Sequence, residues 1–195
     1  GADRNSIPLY DFPAWQIECY RLTTMPVRTS ALRTLGAQGN VFAVESFIDE
    51  IAAEREDDPV EFRLRHLSDL RARDVIVAAA ARANWKPDRQ PGRGYGFGFA
   101  RYKGTGAYCA VVADVEVAED IHVNCLTIAV DVGEVINPDG VINQIEGGAI
   151  QATSWALKER VRFDRQRITS NTWSTYPILR FSEVPEVQVE IIQRP

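Results

Sequence analysis

The sequence has few of the residues that usually hold metals or form disulfides. It contains three cysteines and two histidines among 195 residues. Cys19, Cys109 and Cys125 are isolated in apolar, strand-like segments, which favours buried thiols over a disulfide framework. His66 and His122 belong to different predicted elements and form no ligand cluster with the cysteines. We therefore expect no structural zinc or iron–sulfur site within this chain.

Long apolar runs and an excess of positive charge are also absent. No stretch approaches the roughly 18 to 20 apolar residues that a membrane span needs, and no charged start leads into an apolar core as in a signal peptide. The net charge of −5 argues against general nucleic-acid binding, which needs a concentrated basic surface. These features do not decide whether the protein is located in the cytoplasm or in the periplasm.

Common catalytic motifs are missing as well. The sequence contains no GxSxG, HExxH, CxxC, Walker or EF-hand pattern. Residues 93–99, RGYGFGF, include GxGxG, but no helical pattern follows, so we reject a dinucleotide fingerprint. Glu146 is the carboxylate that we most expect at a site, and the alternative is a hydrogen bond that orders a nearby turn or strand. The residues alone favour a binding surface over chemistry.

Hydrophobic periodicity divides the chain into a helical segment, 1–86, and a strand-rich segment, 87–195, with a polar linker at 86–94. The first segment opens irregularly, and partial alternation at 15–22 suits a strand. Three helices are expected next, and their predicted starts are Asn40, Asp58 with Pro59, and Ser68 or Asp69.

In the second segment, strands are predicted at 93–99, 107–117, 121–130, 161–168 and 187–192, and a helix is predicted at 138–158. Because helices and strands are segregated along the chain, the predicted fold class is α+β. The helical first half should pack with a mainly antiparallel or mixed sheet, and one long helix should follow the central strands.

Residues 130–159 combine a strand, a turn and that long helix. Asn137 suits the N-cap, and Pro138 suits the first helical position. Three residues spaced i, i+4 and i+7 share one face of the helix: Gln144, Gly148 and Gln151. Gly147 and Gly148 carry no side chain, so a bulky group could lie against this face of the helix. Two interpretations remain, a cofactor seat and close packing of two helices at the glycine.

A second candidate site lies at the start of the first helix. Arg33 precedes a glycine-rich bend that leads into a helix N-terminus, where free N–H groups and the helix dipole favour an anion. A plain loop that leads into a helix explains the same residues equally well.

Four segments carry a family resemblance. They are LRTLGAQGNVFAVESFIDEIA at 32–52, DPVEFRLRHL at 58–67, VDVGEVINPDGVINQIEGGAIQ at 130–151 and YPILRFSEVPEVQVEII at 176–192. In this order they resemble the molybdenum-binding large subunits of the xanthine dehydrogenase and aldehyde oxidase family. The pattern is most like that of bacterial nicotinate, isoquinoline or aldehyde oxidoreductases that work with a separate small iron–sulfur subunit.

The resemblance implies oxidative hydroxylation of an aldehyde or an N-heteroaromatic substrate, with water as the oxygen source. The implied cofactor is molybdenum–molybdopterin, as a cytosine dinucleotide. Gln144 matches the family glutamine that touches the pterin, and Ala31, Leu32 and Arg33 match a loop whose backbone lies near the metal. Leu35 falls in the substrate pocket, where purine-oxidising members carry a stacking aromatic, and this difference weighs against a purine substrate.

The family's catalytic glutamate lies in a GxGE segment that would follow Pro195, so the chain itself carries no expected catalytic residue. We therefore expect one compact α+β unit cut from a larger subunit, inactive alone and without bound cofactor. Its expected partners are the remainder of that subunit and the small iron–sulfur subunit, and newly exposed surfaces could drive self-association. The alternative is an independent α+β domain that serves binding or assembly without catalysis.

Overall fold

The computed structural model describes residues 1–28, 32–86, 91–104 and 106–194. Within these residues the chain forms four α-helices and one four-stranded sheet. The helices are α1 (Ala37–Glu54), α2 (Pro59–Arg65), α3 (Leu70–Arg82) and α4 (Pro138–Leu157). The strands are β1 (Arg93–Arg101), β2 (Tyr108–Val117), β3 (Ile121–Asp131) and β4 (Glu186–Ile191). Residues 87–90 of the predicted linker lie outside the described residues.

The sheet has the order β1-β2-β3-β4 and is mixed. The first three strands are antiparallel, and β4 runs parallel to β3. Alternate side chains of the sheet face two cores: α1, α2 and α3 pack on one face, around Phe97 and Val112, and α4 packs on the other, around Ile128 and Val130. The predicted α+β class, with a long helix after the central strands, is confirmed.

Local capping signals predicted most helix starts correctly. The side chains of Asp58 and Asp69 accept hydrogen bonds from the first-turn N–H groups of α2 and α3. The prediction for α1 was wrong, because this helix begins at Ala37 and places Asn40 inside its first turn. The Asn40 amide instead donates to the Ala2 and Arg4 carbonyls at 2.8 and 2.9 Å, which ties the N-terminal segment to the helix.

Two predicted strands do not form. Residues 15–22 have no strand structure, and Cys19, expected to be buried, is exposed there. Residues 161–168 make a turn closed by one isolated bridge between Phe163 and Ile168. Alternation describes one face of a strand, but a strand also needs a hydrogen-bonding neighbour, and neither segment pairs with a described strand.

A buried ion pair connects α1, α2 and β1. The Glu45 carboxylate accepts hydrogen bonds from Tyr10 Oη at 2.7 Å, Arg63 Nε at 3.0 Å and the Phe99 N–H at 2.9 Å. Arg63 is fully buried, and its Nη1 also donates to Asp49 at 2.7 Å. Burial raises the pKa of Glu45, and the neighbouring Arg63 opposes that shift. Glu45, Asp49 and Arg63 belong to the first two resemblance segments, and here they hold the fold together.

A second buried carboxylate, Asp131, fixes the end of β3. Arg71 Nε and Arg194 Nε each donate to it at 2.8 Å, and the Gly133 N–H donates at 3.0 Å. Hydrogen bonds from the Arg71 guanidinium hold the pKa of Asp131 well below its usual range, although burial opposes this shift. The two arginines come from α3 and from the segment after β4, so this Asp131 clamp sets the position of the turn that leads to α4.

The variant Asp131→Asn should lower the free energy of unfolding by about 1.5–3 kcal/mol at neutral pH, because hydrogen bonds to a charged group are lost. A depressed folded-state pKa contributes stability above the unfolded value of about 3.9, and this contribution is lost as the pH falls through the folded pKa. Urea denaturation between pH 7 and pH 3 should therefore show a difference from wild type that narrows below about pH 4. A pH-independent difference would contradict this role. Asp120→Asn, in the exposed β2–β3 turn, is the control and should change stability little.

Candidate cofactor site

Helix α4 has a face without side chains at Gly147 and Gly148, here called the glycine hollow. Its start is fixed by the Asn137 side chain, which accepts from the Gly140 N–H at 2.9 Å, as the sequence predicted. Its apolar side packs on the sheet. Gln144 and Gly147 are exposed, and a Cβ built on Gly147 would meet no atom within 4 Å. In the described part of the chain no second helix packs at these glycines, so the hollow stays open.

The Arg33 loop reaches this hollow from the other end of the sequence. Arg33 Nη1 donates to Gln151 Oε1 at 3.1 Å, although the two residues lie 118 positions apart. A Cβ built on Gly148 would lie 3.9 Å from Arg33 Nη2, so the guanidinium extends over that glycine. The two candidate sites of the sequence therefore lie next to each other, on the loop and on one face of α4.

The loop backbone is unusual. Thr34 and Leu35 both have positive φ, at 80° and 58°, which residues with a Cβ rarely adopt. Gly36 follows, and a Cβ there would lie 2.2 Å from the Ala2 carbonyl oxygen, so only glycine fits. α1 then begins without a side-chain cap. An uncapped helix start fits both interpretations of this segment, an anion-binding site and a plain loop that leads into a helix.

The positions of the other residues predicted at the site do not test their predicted roles. Leu32 is 72% exposed and Leu35 is 38% exposed, both on the loop, and Ala31 lies outside the described residues. Glu146 is half-buried, and its carboxylate takes part in none of the hydrogen bonds found among the described residues. The sequence predicted that Gln144, Gly148 and Gln151 share one helix face, but it contained no signal for the contact between Gln151 and Arg33.

Other features of the described residues do not add to this site. A cleft of about 450 Å³ lies between the N-terminal segment, α1 and β1, but its lining includes neither Arg33 nor any residue of α4. Within residues 1–28, 32–86, 91–104 and 106–194, no group of three or more histidine, cysteine or acidic side chains is placed to hold a metal ion. No helix found there has the length and apolar character for crossing a membrane.

An open hollow flanked by an amide and a guanidinium suits a planar ligand with polar edges. The Arg33 loop and this face of α4 are therefore the candidate cofactor site of the chain. The family model described as the molybdopterin cofactor-binding domain matches residues 34–185. The chain therefore belongs to the molybdopterin cofactor-binding domain family.

The chain is also similar to individual proteins. The chain is 42% identical to one of the subunits of nicotinate dehydrogenase from Pseudomonas putida, over 98% of this chain and 18% of that protein. It is 34% identical to the beta subunit of isoquinoline 1-oxidoreductase from Brevundimonas diminuta, over 92% of this chain and 24% of that protein. The solved structure of quinoline 2-oxidoreductase from Pseudomonas putida 86 aligns with 46% of this chain and 12% of its own, at 26% identity and a TM-score of 0.41. The chain thus spans about a fifth to a quarter of the length of these two curated relatives.

Proposed function

We propose that this chain forms one wall of the cofactor site in the large subunit of a molybdenum hydroxylase. The observation that carries the proposal is the hydrogen bond between Arg33 and Gln151. It brings together the two segments that match the family's cofactor loop and cofactor helix, around one open hollow. Shared ancestry with the nicotinate and isoquinoline enzymes supports the same reaction class.

The residues at the hollow fit a molybdopterin. Pterin edges carry hydrogen-bonding groups like those of an amide, and the exposed Gln144 side chain offers both a donor and an acceptor. The missing Cβ atoms at Gly147 and Gly148 leave room for a flat ring system. Arg33 would supply positive charge near the phosphate groups of the cofactor. We propose that the cofactor is the cytosine dinucleotide form of molybdopterin.

Each residue has a separate proposed role. Gln144 would hydrogen-bond the pterin, the backbone of residues 31–33 would lie beside the metal, and Leu35 would line the substrate pocket. When bound, the cofactor would supply oxidative hydroxylation with water as the oxygen source. The general base is not among the proposed roles of this chain, so we propose that the isolated chain is inactive and does not retain the cofactor.

For the substrate we propose an N-heteroaromatic compound, with an aldehyde as the alternative. Two relatives, at 42% and 34% identity, are named for nicotinate and isoquinoline. An aliphatic Leu35 provides a less specific wall than an aromatic ring that stacks on a purine. Turnover of nicotinate, isoquinoline and an aldehyde by the full-length subunit would separate these possibilities.

The proposed partners are the remainder of the large subunit and a small iron–sulfur subunit. Both curated relatives are named as subunits of an enzyme. Large apolar side chains are exposed on this chain, including Phe42, Phe47, Trp173 and Phe181. Where such side chains form one contiguous patch, that patch marks a surface for contact with further protein.

The test is the molybdenum content of the full-length large subunit with and without Gln144→Ala. Loss of one hydrogen bond to the pterin should lower molybdenum retention about three- to tenfold after dialysis. Metal content is measured by mass spectrometry and pterin content by fluorescence after oxidation.

The matched control is Asn143→Ala, an exposed amide on the same helix whose side chain donates only to the Asp139 carbonyl. It should leave molybdenum content unchanged. Equal molybdenum in the two variants would remove Gln144 from the site. A wild-type subunit that never contains molybdenum would reject the proposed function and favour an independent binding or assembly domain.

A further inference from the structure

Gln151 has been given no separate role toward the cofactor, yet it makes the contact that joins the Arg33 loop to α4. Its Oε1 accepts the hydrogen bond from Arg33 Nη1 at 3.1 Å. Gln151 is half-buried on α4, whereas Arg33 is exposed on the loop. The helix is packed on the sheet, so Gln151 is the more firmly held partner of the pair.

The Gly36 N–H donates to the Gly1 carbonyl at 3.3 Å and ties the end of the loop to the N-terminal segment, but no backbone hydrogen bond found among the described residues connects the loop to α4. Consecutive positive φ values at Thr34 and Leu35 are costly for residues with a Cβ and persist only where the surroundings impose them. Its internal bonds are short-range, from the Leu35 N–H to the Leu32 carbonyl at 3.0 Å and from the Ala37 N–H to the Thr34 carbonyl at 3.2 Å. Neither bond fixes the loop relative to α4.

The direction of the Arg33 side chain is set by Gln151 and not by the glycine beneath it. The separation of 3.9 Å between a Cβ at Gly148 and Arg33 Nη2 is an ordinary van der Waals distance, which constrains position but not orientation. A hydrogen bond from a guanidinium to an amide oxygen is directional and is strengthened by the charge of its donor.

We propose that Gln151 is a positioning residue: it holds the Arg33 guanidinium over the hollow and thereby sets the cofactor loop against the Gln144 face before the cofactor binds. The inference rests on the proposed function for its biological meaning, although the contact itself involves only this chain. A preformed site spends less binding free energy on ordering the loop, so cofactor retention should depend on Gln151 even though Gln151 need not touch the cofactor.

The first test is limited trypsin digestion of the cofactor-free chain. Trypsin must take the Arg33 guanidinium into its specificity pocket, which requires the bond to Gln151 to break first. Gln151→Leu should therefore speed cleavage after Arg33 about three- to tenfold, the value of one such hydrogen bond. Cleavage after Arg21, which is exposed in the same N-terminal segment, is the internal reference and should not change.

Rescue by a conservative variant separates this role from general packing. Gln151→Glu keeps an acceptor oxygen at the same position and adds a negative charge, so it should cleave no faster than wild type. In NMR spectra, the Arg33 side-chain N–H signals should shift in Gln151→Leu and stay dispersed in Gln151→Glu. Faster cleavage at Arg21 as well, or a Gln151→Glu variant as labile as Gln151→Leu, would overturn the proposal.

The second test uses the full-length subunit and links the contact to the cofactor. Gln151→Leu should lose molybdenum several-fold, whereas Gln144→Ala should lose molybdenum without faster cleavage after Arg33. Unchanged molybdenum in Gln151→Leu would overturn the positioning role. A wild-type subunit without molybdenum would reject the proposed function alone, because the cleavage test on the isolated chain is independent of it.

Discussion

Arg63→Ala should lower the free energy of unfolding by about 3–5 kcal/mol, a large part of the stability of a domain this size. The substitution leaves the Glu45 carboxylate buried without its cation, with only the Tyr10 hydroxyl and the Phe99 N–H as donors. It also removes the bonds to Asp49 and to the Pro59 carbonyl. Urea denaturation followed by tryptophan fluorescence measures the effect directly.

Arg65→Ala is the matched control for this prediction. Arg65 lies on the same helix two residues later, its side chain is 52% exposed, and it pairs with Asp57 at the surface. Exposed ion pairs contribute about 0–1 kcal/mol, so this variant should unfold close to the wild-type urea concentration. Equal losses in the two variants would mean that the Glu45–Arg63 pair is not a main support of the fold.

Gly148→Val should remove most of the cofactor from the full-length subunit while leaving the fold intact. Valine would fill the hollow from the α4 side and extend toward the Arg33 guanidinium, which already lies at contact distance from the position of a Cβ. Overfilling a close-fitting site costs about 1–3 kcal/mol, or a loss of affinity of roughly 5- to 150-fold. Molybdenum content after gel filtration is the measurement.

Ala53→Val provides the control for that variant. Ala53 is exposed in the last turn of α1, far along that helix from the Arg33 loop. Valine is a slightly better helix former than glycine and costs only about 0.5 kcal/mol relative to alanine, so neither substitution should unfold the domain. The expected outcome is normal molybdenum in Ala53→Val and little in Gly148→Val. Similar molybdenum contents in the two variants would argue against a cofactor in the hollow.

The parts of the fold that the sequence predicted correctly depend on local chemistry. Asp58, Asp69 and Asn137 cap helices because an N-cap needs only the next three residues. The parts that failed depend on partners far along the chain. Residues 15–22 alternate like a strand, but no described strand lies beside them to pair with.

The same difference between local patterns and distant partners explains which features of the candidate site were predicted. The spacing of Gln144, Gly148 and Gln151 follows from helix geometry, so their shared face was visible in the sequence. The contact with Arg33 was not, because no local pattern specifies a residue 118 positions away. Glu45 was likewise hidden, since an acidic residue within an amphipathic helix normally predicts a solvated side chain.

The Asp131 clamp has a consequence for the order in which the domain folds. The helices α1–α3 and the antiparallel strands β1–β3 precede α4 and β4 in the sequence, so they can assemble while the chain is still being synthesised. Arg194 and the parallel strand β4 come at the far end and reach Asp131 only after the intervening chain, including α4, is complete. Because parallel pairing forms late and slowly, α4 acquires its full support last. In a nascent chain, the core between α1–α3 and the sheet can therefore form before the core beneath α4, which includes residues of β4.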